Sequence, residues 1–171
     1  MKKGLLYLVT CLLLTNCNSP KEKSDSQDEK PETVDSIYFD KIVDDPDFKL
    51  CRPYVYQYFN DSKGLIFEGG KPLLVEAFSI QYNSGIVPKE TGLVRIRFVV
   101  NCKGEADRFR LLGMDNDYKE KDFDKTITDQ LLKITKSLKG WGVKELRGDS
   151  VDYYQYLIFS INDGIITKIL P

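Results

Sequence analysis

VRIRFVVNCKGEADRFR, residues 94–110, gives the clearest structural signal in this 171-residue chain. Apolar residues alternate with arginines up to the turn sequence Asn-Cys-Lys-Gly, and this period of two is typical of a half-buried strand. Gly104 supplies the positive φ that a tight hairpin needs. The stretch therefore predicts a β-hairpin whose returning strand directs Phe109 into the core.

Helices are predicted on both sides of this hairpin. Upstream, the Gly69-Gly70 breaker precedes a predicted helix over 72–82. Downstream, residues 119–139 form an amphipathic helical pattern, with Asp122 as the predicted N-cap and Gly140 after the helix end. Its apolar residues recur at steps of three and four: Phe123, Ile127, Leu131, Ile134 and Leu138.

The C-terminal sequence predicts a second hairpin. Extended runs at 153–161 and 165–170 flank Asn162-Asp163-Gly164, and Asp-Gly between alternating apolar runs is a strong hairpin signal. The order is then helix, strand, strand, helix, strand, strand. It predicts an α+β fold, an antiparallel sheet of about three to four strands with two helices on one face.

The N-terminus has the pattern of an export signal. Two lysines precede the apolar run 5–14, which is shorter than the roughly 20 residues that span a bilayer. Residues 14–17, Leu-Thr-Asn-Cys, resemble the lipobox of bacterial lipoproteins. The resemblance implies a signal peptide over 1–16 and a lipid on Cys17 that anchors the chain in an envelope membrane, facing the periplasm or the cell surface. The alternative is an ordinary signal peptide cut elsewhere.

The segments between the anchor and the first helix are predicted to be irregular. Residues 17–33 carry the lipidated cysteine and a polar tether with too few apolar residues to form a core. Residues 34–66 are predicted to be an extension packed on the domain. Alternate tyrosines in this extension indicate either a short strand or an aromatic clamp: Tyr54, Tyr56 and Tyr58.

Composition and cysteine count exclude several functions. The balance of 25 Lys+Arg against 26 Asp+Glu gives no support to nucleic-acid binding, and the chain has no histidine. Cys51 and Cys102 are left as a pair in an exported protein, which predicts a disulfide. Without histidine to activate it, Cys102 is a poor nucleophile, and two thiols alone make a poor metal site. We therefore expect no catalytic residue, no cofactor and no metal.

From residue 67 onward the chain resembles the TonB C-terminal domain, especially versions carried by Bacteroidetes-type bacteria. FEGG at 67–70 resembles the FPGG that often opens that domain, and GLVRIRFVVNCKG at 92–104 resembles its first strand and turn. The long helix leading to Trp141 also matches in order and spacing. Glu68 stands where proline is common, the Pro-Gly that often follows the tryptophan is absent, and Cys102 is not a general feature of the family.

The resemblance implies a non-enzymatic domain, residues 67–171, that binds a protein or peptide segment by pairing it with a sheet edge. A lipid anchor in place of an inner-membrane helix implies a role accessory to outer-membrane transport, not energy transduction. The strand at 165–170 would accept the segment by β-strand addition; the alternative is a solvated edge that Lys168 protects. The residues concerned are Ile165, Ile166, Thr167 and Lys168.

A second predicted binding surface is the outward face of the sheet. Arginine interleaved with tyrosine can hold a partner through cation–π and bidentate contacts, whereas the alternative is a solvated face. An alternative function is a structural or assembly lipoprotein unrelated to transport, and an enzyme is a remote third. The residues of this surface are Arg95, Arg97, Arg108, Arg110, Tyr154 and Tyr156.

Overall fold

The computed structural model describes residues 36–57 and 64–171. The predicted signal peptide, the lipid attachment at Cys17, the tether and Tyr58 lie outside these residues. Within the described ranges, no helix combines the length and apolar character needed to cross a membrane. Residues 35–171 form one compact unit by their contacts.

The predicted α+β fold is confirmed. The described elements are α1 (Gly70–Gln81), β1 (Gly92–Val100), β2 (Ala106–Met114), α2 (Lys125–Ser137), β3 (Lys144–Leu146), β4 (Asp149–Val151), β5 (Tyr153–Asn162) and β6 (Ile165–Leu170). Four of them form an antiparallel sheet in the order β2-β1-β5-β6. The short β3–β4 hairpin is an addition that the sequence analysis did not predict.

Both helices pack on one face of the sheet, where most of the apolar core lies. Alternate residues of β1 and β5 face the helices because successive side chains of a strand point to opposite sides. Trp141 is buried in the same core, as predicted for the residue after the helix-ending glycine. The fully or nearly fully buried residues include Leu74, Phe78, Ile96, Phe98, Ile127, Leu131, Leu157 and Phe159.

The helix α2 starts later than the sequence predicted. Asp124 is its N-cap, not Asp122, and the Asp124 carboxylate accepts a hydrogen bond from the Thr126 N–H at 2.7 Å. This hydrogen bond lowers the pKa of Asp124. Residues 119–121 instead bond to the end of β2, since the Lys121 N–H donates to the Gly113 carbonyl at 3.0 Å and Glu120 bridges to Met114. That pairing keeps the chain extended up to the cap.

The opposite face of the sheet is covered by residues 36–57, which we call the N-terminal strap. The strap contains no regular helix or strand, and Tyr56 makes a single parallel bridge to Tyr153. A small second core lies beneath it, formed by Ile37, Val99 and Tyr154 with Phe48, Leu50 and Val55. The described domain therefore has three layers: helices, sheet and strap.

Candidate partner-binding surfaces

Cys51 and Cys102 join the strap to the turn after β1. Their Sγ atoms are 2.02 Å apart, the disulfide that the sequence predicted. The buried carboxylate of Asp152 lies beside them and accepts hydrogen bonds from the Cys51, Arg52 and Cys102 N–H groups, each at 2.8 Å. Because both thiols are oxidised, the cluster of Cys51, Cys102 and Asp152 has no thiolate to offer a metal.

The arginine–tyrosine face is not the open surface that the sequence predicted. Strand register does place Arg97 directly opposite Arg110 and Tyr156. The strap covers this face, however, so that Arg97 is 6% exposed and Tyr154 is 4% exposed. The prediction of an outward, solvent-facing surface is therefore wrong for these two residues. The missing information was that residues 36–57 pack there.

Arg110 makes the predicted bidentate contact, but with the strap. Its guanidinium donates to both carboxylate oxygens of Asp44 at 2.7 Å and to the Tyr38 carbonyl at 2.7 Å. The Asp44 side chain is only 1% exposed, so the pair is shielded on the acid side. These hydrogen bonds hold the pKa of Asp44 below its usual value and raise the pKa of Arg110.

Arg97 makes a cation–π contact within the chain, whereas the contact predicted for it was with a partner. Its guanidinium carbon lies 4.1 Å from the centre of the Tyr154 ring, and a guanidinium nitrogen donates to the Gln57 Oε1 at 3.2 Å. The Tyr154 hydroxyl in turn accepts from the Ile37 N–H at 3.2 Å. The chemistry predicted for an external partner therefore also fixes the chain's own strap.

Arg108 departs from the predicted alternation. The β1–β2 register shifts between Arg97 and Val99, and the extra residue is accommodated at Arg108, whose φ is 59°. Its Nε is buried and has no hydrogen-bond partner among the described residues. The shift leaves Phe109 stacked on Phe98, with ring centres 5.0 Å apart, so the predicted inward position of Phe109 is confirmed.

A cleft of about 600 Å³ remains open between the strap and the first two strands. Its strand side is lined by Arg95, Arg97 and Arg110, and its strap side includes residues 36–41. Arg95 is half-buried. The cleft is therefore the part of the arginine face that a ligand can still reach.

The strand β6 forms one edge of the sheet, as the sequence predicted. Ile165, Thr167 and Lys168 are exposed and Ile166 is half-buried. The β5–β6 register shifts so that Thr167 is an extra residue, and its hydroxyl donates to the Ser160 carbonyl at 3.1 Å. Among the described residues, no loop backbone bonds to 165–170.

A groove of about 270 Å³ runs between β6 and the helix α1. Val75 and Ser79 line its helix side, and Ile165 and Ile166 line its strand side. At one end the buried Tyr82 hydroxyl donates to the Gly164 carbonyl at 2.9 Å, and burial raises the pKa of that hydroxyl. The groove thus has walls of mixed character, in which Val75, Ile165 and Ile166 are apolar and Ser79 and Lys168 are polar.

The opposite edge, β2, is more covered. Besides the bond from Lys121 to Gly113, the Asp115 N–H donates to the Lys119 carbonyl at 2.9 Å. The Asp107 carboxylate accepts from the Asp45 N–H of the strap at 3.0 Å. Of the two edges, β6 is the one at which a new strand can pair.

Comparisons with protein-family models, curated proteins and solved structures find no match to this chain. The resemblance to the TonB C-terminal domain therefore stays a prediction. Sequence reasoning missed the roles of Asp152 and of Val75 in the groove wall. A lone aspartate before the apolar run at 153–161 was a weak signal for the role of Asp152. The role of Val75 could be predicted only by knowing which face of the helix meets the edge strand.

Proposed function

We propose that this chain is a non-enzymatic lipoprotein of the bacterial envelope that binds an extended protein segment by strand addition to β6. The lipid on Cys17 anchors it, and its role is accessory to outer-membrane transport. The observation that carries the proposal is the edge of β6, to which no loop backbone bonds within the described residues, beside a groove with apolar side chains on both walls. In this mode of binding, main-chain hydrogen bonds supply affinity and side-chain pockets supply selectivity.

The composition of α1 supports a partner on this side of the domain. Apolar side chains of α1 extend beyond its buried face, and exposed apolar side chains that lie together mark an interaction surface. Here Val75 is 39% exposed and Ile165, across the groove, is 47% exposed. An incoming strand would cover both, with its alternate side chains directed into the groove. Lys168 and the irregularity at Thr167 restrict the edge, which favours one register over unselective pairing.

A peptide titration tests strand addition. Isotope-labelled residues 18–171, which retain the compact unit, are titrated with N-terminal peptides of outer-membrane transporters. We expect chemical-shift changes concentrated in β6 and α1. Val75→Asp places a charge in the groove and should abolish binding, whereas Ile80→Asp, on the same helix but outside the groove lining, should not. Shifts absent for every peptide, or equal losses in both variants, would contradict the proposal.

A separate measurement tests the anchor. The intact mass of the chain from a bacterial envelope should show removal of residues 1–16 and a lipid on Cys17. Cys17→Ala should release the chain from membranes. A mature chain that begins at another residue and carries no lipid would exclude the proposed anchor while leaving the peptide-binding proposal standing.

A further inference from the structure

The strap exposes an unusual amount of apolar surface in one short turn. Tyr38 is 63% exposed, Phe39 50%, Ile42 83% and Val43 51%. The turn is ordered from within, since the Asp40 carboxylate accepts from the Ile42 N–H at 2.9 Å. Single exposed apolar residues are ordinary, but four within six positions mark an interaction site.

Positive charge lies next to this apolar turn. Tyr38, Phe39 and Lys41 line the same cleft as Arg95 and Arg97. Asp44 neutralises Arg110, whereas Arg95 and Lys41 line the cleft with Asp40 as the one other acid among its described lining residues. Aromatic and aliphatic side chains beside cationic ones match the boundary of a membrane, where rings sit at headgroup level and arginine or lysine meets anionic phosphate.

The position of the turn in the chain is consistent with this ligand. Ser36 lies only 19 positions after Cys17. Even fully extended, this stretch spans at most roughly 65 Å, so a lipid on Cys17 holds the turn within that distance of the bilayer. This part of the inference, the closeness of the turn to the bilayer, rests on the proposed anchor.

We propose that the turn at 38–43 and the adjoining arginine cleft form a docking surface for an anionic membrane. Phe39 and Ile42 enter the headgroup boundary, and Arg95 contacts a lipid phosphate at the mouth of the cleft. The docked orientation fixes the domain on the membrane that holds its anchor.

The test uses residues 18–171 with the disulfide intact, which lack both the signal peptide and Cys17. Cosedimentation is measured with vesicles of phosphatidylcholine, with and without phosphatidylglycerol. We expect binding to the anionic vesicles that weakens as salt is added. Phe39→Ser with Ile42→Ser should weaken it by at least roughly tenfold, since each exchange removes a large apolar side chain from the boundary.

Matched variants distinguish binding by this surface from nonspecific adsorption of exposed apolar side chains to vesicles. Leu73→Ser with Ile80→Ser removes two exposed apolar side chains of α1 that lie outside the groove lining, and it should leave vesicle binding unchanged. Arg95→Glu should remove the preference for phosphatidylglycerol. Circular dichroism and non-reducing mass confirm that every variant is folded and oxidised.

Three results would overturn the proposal: no binding to either vesicle, equal losses in the two serine pairs, or binding indifferent to phosphatidylglycerol and to Arg95→Glu. Because Cys17 and peptides are absent, these results are independent of lipidation and of strand addition. Residues 18–171 could bind vesicles while the full chain is found to carry no lipid on Cys17. That pair of results would support this docking surface and reject only the proposed anchor.

Discussion

One face of the sheet is covered by two regular helices, and the other by a strap without regular structure. On the helix face, large apolar side chains such as Phe78 and Leu131 supply the stabilisation by non-directional burial. The strap brings only a few apolar residues, and it is held by a disulfide, a buried carboxylate and an ion pair. A segment that packs only a few of its apolar side chains against a sheet can still cover it through a few directional contacts.

The largest expected effect comes from the disulfide. Cys51→Ser with Cys102→Ser removes a link between residues 51 positions apart, and chain-entropy bookkeeping predicts a loss of about 4 kcal/mol in the free energy of unfolding. Urea denaturation measures it. Reduced wild type should behave like the double variant. An unchanged midpoint would mean that the polar contacts of the strap suffice by themselves.

The helix face is tested by Leu131→Ala. Leu131 is fully buried, and truncation leaves a cavity between α2 and the sheet, so we expect a loss of about 3 kcal/mol. The same urea experiment gives the value. Lys133→Ala, on the exposed side of the same helix, is the control and should change stability little. If Leu131→Ala lowers the free energy of unfolding by less than Asp44→Asn does, the strap face and not the helix face would contribute more to stability.

The ion pair gives the next effect and a pH dependence. Asp44→Asn removes a buried, charge-assisted contact with Arg110 and should cost about 2 kcal/mol at neutral pH. Because the pKa of Asp44 is lowered in the folded state, the unfolded chain takes up the proton first. The contribution is present above the usual value of 3.8 and is lost as pH falls through the lower, folded-state pKa.

Stability of wild type and Asp44→Asn should therefore converge below about pH 4 in denaturation measured across the acid range. Asp47→Asn, an exposed exchange in the same segment, controls for the change in net charge. Parallel pH curves for wild type and Asp44→Asn would show that this carboxyl titrates alike in both states.

The smallest effect is expected at the start of α2. Asp124→Ala removes an exposed N-cap and should lower the melting temperature slightly, because the Thr126 N–H loses its acceptor. Asp122→Ala, at the position that the sequence pattern favoured, should have no effect. The reverse order of the two variants in thermal denaturation would move the helix boundary back to the sequence-based position.

The helices and hairpins that short-range sequence patterns mark were predicted well. The hairpin signal at Asn162-Asp163-Gly164 corresponds to the β5–β6 turn, and the period of three and four corresponds to α2. The cap was misplaced because both aspartates satisfy the local preference. The choice was made by pairing of Lys121 with Gly113, a contact with another element that spacing does not encode.

The candidate surfaces were predicted less completely. The edge at Ile165–Leu170 was what the resemblance implied, but the groove beside it depends on where Val75 comes to lie. The sequence correctly predicted that Arg97, Arg110 and Tyr156 lie on one face of the sheet. It wrongly predicted that this face is open to solvent. No periodicity marks residues 36–57 as a layer, since their attachment relies on contacts between residues far apart in the chain, such as Asp44 with Arg110, 66 positions away.

The sequence by itself determined the α+β class, the two hairpins, the pairing of Cys51 with Cys102 and the absence of histidine chemistry. These follow from short-range periodicity and from residue counts. Only the tertiary structure decided which face of the sheet is closed, which edge is open and what the arginines hold. Those outcomes depend on packing between segments that are distant in the chain. There, burial and hydrogen bonding of both segments together determine the structure, and the local preferences of either segment do not.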